Sequence, residues 1–309
     1  MPVQGQILVI RGGAIGDFIL TLPVLRALRE QFPWARLEVL GYPHIASLAE
    51  AGGLVDASRS IDARALASFF STNLELPSEL AGYFSCFAVI FSYLYDPDGI
   101  FQDNVRRCTS GQFIAGPHRP DDAGSRHATD VLLQPLQRLA IFDADPVPQL
   151  KIPPGDDAGP PWLALHPGSG SDTKNWPDTK WRELIVTLAE TTDHRFLLVG
   201  GEAEGERLRH FENLLPAARR NVARQRPLPE VARLLAGCRA FVGHDSGITH
   251  LAASVGTPSL VLWGPTARQV WCPLGDHVRI LEHPDGLAAL PVVEVLRECL
   301  ELMGEGGRR

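Results

Sequence analysis

The sequence predicts an α/β protein of two domains, each a parallel sheet with helices on both faces. Three observations carry that expectation. Residues 241–266 read as strand, polar turn, helix and strand, the size of a βαβ unit. A second such unit opens the chain at residues 7–40. Between residues 162 and 302, apolar strand-like runs alternate with amphipathic stretches, which is the pattern of a doubly wound sheet.

Taken in order, residues 7–10 (ILVI) form a short buried strand, and residues 11–17 (RGGAIGD) a glycine-rich turn. A helix is expected from about residue 18 to residue 31, with Ile19, Leu22, Leu25 and Leu28 on one face. Pro23 is tolerated there only because it lies near the helix start. Residues 36–40 give the next strand, 87–91 another, and 130–141 a helix. Residues 143–161 are dense in proline, glycine and aspartate and read as a linker. The domains are therefore expected at 1–150 and 151–290, with a terminal helix and tail at 291–309.

In the second half, strand 162–165 leads into the turn HPGSGS at 166–171, and a helix is expected over 177–189. Strand 196–199 ends in Gly200-Gly201 and a helix to about residue 215. A short helix at 229–235 precedes the strand ending at Val242. The turn His244-Asp245-Ser246-Gly247 follows, then a helix stopped by Gly256, a strand at 259–263, and a break at Gly264-Pro265.

Composition narrows the function. The length of 309 residues suits two cores better than one. A net charge of −7 argues against sequence-independent nucleic-acid binding, so no nucleic-acid partner is expected. The five cysteines are scattered without a C-x-x-C pair, so neither a zinc site nor a disulfide framework is indicated, which suits a reducing cytoplasm. No run reaches the roughly 18 apolar residues of a membrane span. The amino terminus lacks the charged and apolar regions of a secretory leader.

Polar turns at strand ends are where open parallel sheets bind ligands. Lys174, flanked by small hydroxyl and glycine residues, suits a diphosphate: one cation, several N–H donors, close backbone approach. The bland alternative is a solvated loop lysine. Asp245 and Ser246 have the chemistry of a helix cap, which does not prevent a cap serine from also facing a phosphate. His250 is either packed or a phosphate donor. Asp17 is either a cap or a base placed where helix N–H groups favour an anion. Glu202 and Glu204, after Gly200-Gly201, suit ribose hydroxyls or a solvated helix start. The opening G-G-x-x-G is not the dinucleotide spacing, and no acidic residue closes the second strand, which counts against an NAD-dependent oxidoreductase or epimerase. A nucleotide-sugar-binding protein without transferase activity stays open at this level.

Four motifs in order resemble the ADP-heptose:lipopolysaccharide heptosyltransferases, glycosyltransferase family nine. They are R-x-x-x-x-G-D with T-L-P (Arg11, Gly16, Asp17, residues 21–23), H-P-G-S with K-x-W-P (166–169 and 174–177), G-G-x-x-E (Gly200, Gly201, Glu204), and D-S-G-x-x-H…G-x-P…G-P-T (245–250, 256–258, 264–266). The resemblance implies a GT-B fold, two Rossmann-like domains facing across a cleft. It implies inverting transfer of a heptose or related sugar from an ADP-sugar to a hydroxyl of lipid A–core or a related glycan. No cofactor is required, magnesium being optional. It implies peripheral contact with the inner membrane from the cytoplasmic side. Asp17 would be the general base, with Arg11, Gly13 and Gly16 on the acceptor side. Ser169 and Lys174 would hold the diphosphate, Glu204 the ribose, and residues 226–228 the base. Asp245, Ser246, Gly247 and His250 would complete the donor site. Two departures stand out. The family's D-L-Q after the central strand of the first half is replaced by Ser92-Tyr93-Leu94-Tyr95-Asp96, and G-P-T continues with Ala267-Arg268 rather than D-P. The first departure bears on the acceptor, the second on the donor.

Overall fold

The computed structural model describes residues 5–62, 64–72, 75–155, 159–201 and 205–304. The chain packs as two units, Met1–Pro148 and Gln149–Arg309.

The first unit is a five-stranded, wholly parallel sheet in the order β3-β2-β1-β4-β5. Its strands are β1 (Gln6–Arg11), β2 (Arg36–Gly41), β3 (Ala57–Ser60), β4 (Val89–Ser92) and β5 (Gln112–Ala115). The helices are α1 (Ile15–Ile19), α2 (Leu22–Gln31), α3 (Pro43–Ala51), α4 (Ser78–Ser85), α5 (Ile100–Arg106) and α6 (Ala128–Leu133). Strand β1 is central, and Leu8, Val9 and Ile10 are fully buried, as a strand covered on both faces requires. An aromatic cluster of Phe69, Phe84, Phe87 and Phe101 packs with Leu8 and Ile10 on one face, so these phenylalanines are core.

Three expected elements differ. The helix expected from residue 18 is two helices, α1 and α2. Pro23 has no N–H to give and its ring crowds the carbonyl four residues back, so the chain restarts at Leu22 with Thr21 as N-cap. The helix expected over 130–141 stops at Leu133. Pro135 then sits in the first turn of a tighter 3-10 segment, Gln134–Leu139, which ends on Ala140 at φ 56°. Strand β4 begins two residues later than expected, at Val89.

The second unit is a six-stranded parallel sheet in the order β11-β10-β9-β6-β7-β8. The strands are β6 (Trp162–His166), β7 (Arg195–Gly200), β8 (Arg220–Arg224), β9 (Cys238–His244), β10 (Ser259–Leu262) and β11 (Val278–Leu281). The helices are α7 (Asp178–Thr191), α8 (Gly205–Glu212), α9 (Leu228–Ala236), α10 (Gly247–Ser254), α11 (Arg268–Trp271) and α12 (Val292–Leu302). The terminal helix α12 belongs to this core: Val295 and Cys299 pack with Trp181, Leu184 and Leu188 of α7. Strand order reverses between β6 and β9, and the crevice beyond their carboxyl ends is where a doubly wound sheet takes a ligand.

Candidate active site

In the second unit, β6 ends at His166 and β9 at His244, side by side. The loops that leave them carry most of the donor-site candidates. After β6, Ser169 turns back to donate its hydroxyl to the Ser171 carbonyl at 2.7 Å. A 3-10 turn, Asp172–Lys174, then presents Lys174. After β9, Asp245 lies against it: Lys174 Nζ donates to Asp245 Oδ2 at 2.6 Å. The carboxylate is 8% exposed and the lysine 33%. A buried carboxylate needs a partner of opposite charge, and Lys174 supplies it. The ammonium has three donors, so two remain for a ligand.

Ser246 is the N-cap of α10, in extended backbone, with its Oγ accepting from Thr249 N at 3.3 Å. The Thr249 hydroxyl also donates to the His244 carbonyl. The amides of Gly247 and Ile248, in the first turn, have no intrahelical acceptor and carry the positive end of the helix dipole. The cap reading of Ser246 therefore holds. His250 is buried one turn into α10. Gly264, at the end of β10, packs close to Lys174, since a Cβ there would lie 3.9 Å from the Lys174 Cα. Residues 226–228 lie where β8 passes into α9, two strands from β6 on the same edge of the sheet. Glu202 and Glu204 lie outside the described residues.

The group that orders this loop cluster is His244, which sequence reasoning placed in the turn without a role. It is fully buried. Its Nδ1 faces the Gly168 carbonyl at 3.3 Å. Its Nε2 accepts from Trp176 N at 2.9 Å and from Trp181 Nε1 at 3.1 Å. An Nε2 that accepts twice carries no proton, so the ring is the neutral Nδ1–H tautomer. Burial depresses its pKa to about 3, and the nearby His166 and Arg207 push the same way. Trp181 packs edge-on against the imidazole, with ring centroids 5.4 Å apart. The loop 168–176 is thus pinned at both ends, with Lys174 between. The sequence ended this strand at Val242; the structure carries β9 on to His244, whose burial depends on α7 folding over it.

In the first unit, Asp17 is not in a turn before the helix but in the first turn of α1. Its Oδ2 accepts from Ala14 N at 2.9 Å. Its Oδ1 lies 3.6 Å from Arg11, and a third of the side chain stays exposed. Arg11 is buried; it donates to the Asp17 carbonyl and to the His118 carbonyl at 2.7 Å. Desolvation pulls the Arg11 pKa down while Asp17 opposes it. Gly13 has φ +97°, and a Cβ there would meet Asp17 Oδ2 at 2.8 Å, so only glycine lets the carboxylate sit where it does. Gly16 lies inside α1. Among the described residues, no group of three or more His, Cys, Asp or Glu is placed to hold a metal ion, and no helix is long and apolar enough to cross a membrane.

Comparison with known proteins agrees with this architecture. Lipopolysaccharide heptosyltransferase 1 of Pseudomonas aeruginosa is 37% identical over 131 residues, 42% of this chain and 33% of that protein. The match thus spans about a third of the relative's length. Among solved structures, E. coli ADP-heptose lps heptosyltransferase II superposes with a TM-score of 0.78 at 17% identity, covering 98% of this chain and 100% of that one. E. coli heptosyltransferase WaaC with ADP gives 0.73 at 20% identity, covering 96% and 99%. At those identities the structures speak for the fold, which is GT-B. The sequence model of glycosyltransferase family 9 (heptosyltransferase) matches residues 127–291, more than half of the chain. The chain belongs to glycosyltransferase family 9.

Proposed function

We propose that the protein is an inverting glycosyltransferase that moves a heptose or related sugar from an ADP-sugar to a hydroxyl of lipopolysaccharide core or a related glycan. The observation that carries this reading is the Lys174–Asp245 pair beside the start of α10, at the strand reversal of the second sheet. A diphosphate leaving group needs charge neutralisation as its bond to the sugar breaks. Lys174 and the first amides of α10 supply it, with Ser169 at the same turn. Strands lie about 4.8 Å apart, so a base held by residues 226–228 beyond β8 would sit roughly 10 Å from β6. That is the reach of a ribose between base and diphosphate, with Glu204 on the ribose. Asp245 holds Lys174; Gly247 and His250 complete the helix start.

The acceptor hydroxyl attacks the anomeric carbon, its proton passes to the Asp17 carboxylate, and the carbon–oxygen bond to ADP breaks with inversion. Ala14 N and Arg11 orient that carboxylate, and its exposed third leaves room for the hydroxyl. The scheme calls for no cofactor, and magnesium on the diphosphate would be an optional aid. Work on a lipid-linked acceptor would bring the protein to the inner face of the cytoplasmic membrane as a peripheral visitor.

The test is ADP release from ADP-heptose in the presence of a deacylated lipopolysaccharide-core saccharide. Asp17→Asn keeps an oxygen for Ala14 N but loses the base. Turnover should fall roughly 10²- to 10⁴-fold while ADP affinity is unchanged. A variant within a few-fold of wild type would sink the role of Asp17.

A further inference from the structure

The β4–α5 loop, where this chain departs from its family's pattern, leaves Tyr95 67% exposed at the carboxyl edge of the first sheet. The loop that carries it is anchored on both sides of Tyr95. Asp96 accepts from Phe101 N at 3.1 Å and Gln102 N at 2.9 Å, so its carboxylate is spent as the cap of α5. Tyr93 is buried and bonds the Leu132 carbonyl at 2.8 Å. The His118 ring packs edge-on against Tyr95, with centroids 4.7 Å apart. Beside the pair opens a cavity of about 340 Å³ lined by Ser92, Leu94, Gln102, Phe113 and Pro117. The size and the mix of apolar walls with few polar groups suit a small ligand.

Two contacts tie this place to the proposed base. Arg11, which holds Asp17, donates to the His118 carbonyl. Leu94 packs under the turn of β1, 3.6 Å from where a Gly12 Cβ would be. His118 and Leu94, which flank Tyr95 in the cavity, thus both touch residues of the Arg11–Asp17 segment.

Resting on the transferase reading above, we propose that Tyr95, backed by His118, is a stacking platform for a sugar ring of the acceptor. Tyr95 and His118 set which ring may precede the reacting hydroxyl. A nucleotide is the poorer occupant. The helix start nearest the platform, that of α5, is already filled by the Asp96 carboxylate on Phe101 N and Gln102 N, which repels phosphate. No acidic residue ends β2 to take a ribose. A pyranose offers an apolar face to the tyrosine ring and hydroxyls to Ser92, Gln102 and the imidazole.

The experiment is titration calorimetry of the full chain with a deacylated lipopolysaccharide-core saccharide, and separately with ADP. Tyr95→Ala should weaken saccharide binding about 10-fold, one stacked ring's worth, and leave ADP binding as it was. Tyr95→Phe keeps the ring face and should bind as wild type. The exposed position makes a folding defect a small concern, and matching melting temperatures check it. Unchanged saccharide affinity in Tyr95→Ala, no saccharide binding by wild type, or an equal loss for ADP each overturns the platform. Turnover is read independently: a wild type that binds the saccharide through Tyr95 yet transfers nothing would retain the platform and refute the transferase reading.

Discussion

Replacing His244 with phenylalanine tests whether a neutral imidazole organises the donor loop. Phenylalanine keeps the ring and its packing on Trp181 but accepts no hydrogen bond. Trp176 N and Trp181 Nε1, both buried, would lose their acceptor. Each orphaned donor costs about 1–3 kcal/mol, so near pH 7.5 the variant should be about 2–6 kcal/mol less stable. Acid changes the comparison. The folded histidine titrates near 3 and the unfolded one near its ordinary 6.5. Between those values the unfolded chain binds a proton that the folded chain refuses, so stability rises with pH across the window and is lost on acidification. The full term is about 4–5 kcal/mol, and about 3 of it is gone by pH 4. Phenylalanine has no such term, so the gap to wild type should narrow by about that amount. Urea unfolding followed by tryptophan emission reads it directly, since Trp176 and Trp181 flank the site. A variant as stable as wild type at pH 7.5, or a gap that does not change down to pH 4, would show that the imidazole is not the acceptor described.

Two further substitutions address the site itself. Lys174→Ala removes the ammonium but leaves the α10 amides, so ADP should bind roughly 10- to 100-fold more weakly while adenosine is hardly affected; equal losses by calorimetry would contradict a phosphate contact. Gly13→Ala forces a left-handed backbone on a residue with a Cβ and presses it into the Asp17 carboxylate. We expect turnover to fall at least 10-fold with ADP affinity intact, and a fully active variant would mean the Asp17 position is not tightly set.

The amino-acid order alone determined a good deal of this protein. Alternation of apolar runs with amphipathic stretches was enough for two parallel sheets, because a strand buried on both faces and a helix buried on one leave different periods in the sequence. Turn residues at strand ends marked Asp17, Lys174, Asp245 and Ser246. Short edge strands escaped notice: β3 (ASRS) and β8 (RNVAR) are polar because edges are half solvated, and only pairing with β2 and β7 makes them strands. What Lys174 faces was likewise decided by folding. Its partner Asp245 is 71 residues away, and no local pattern encodes a contact made by two adjacent strand ends. His244 shows the same limit: the sequence placed it in the turn without a role, and three contacts from loops and helices distant in sequence made it a neutral acceptor. Local chemistry is written in the chain; which groups it meets, and in which protonation state, follows from the packing that brings them out of water together.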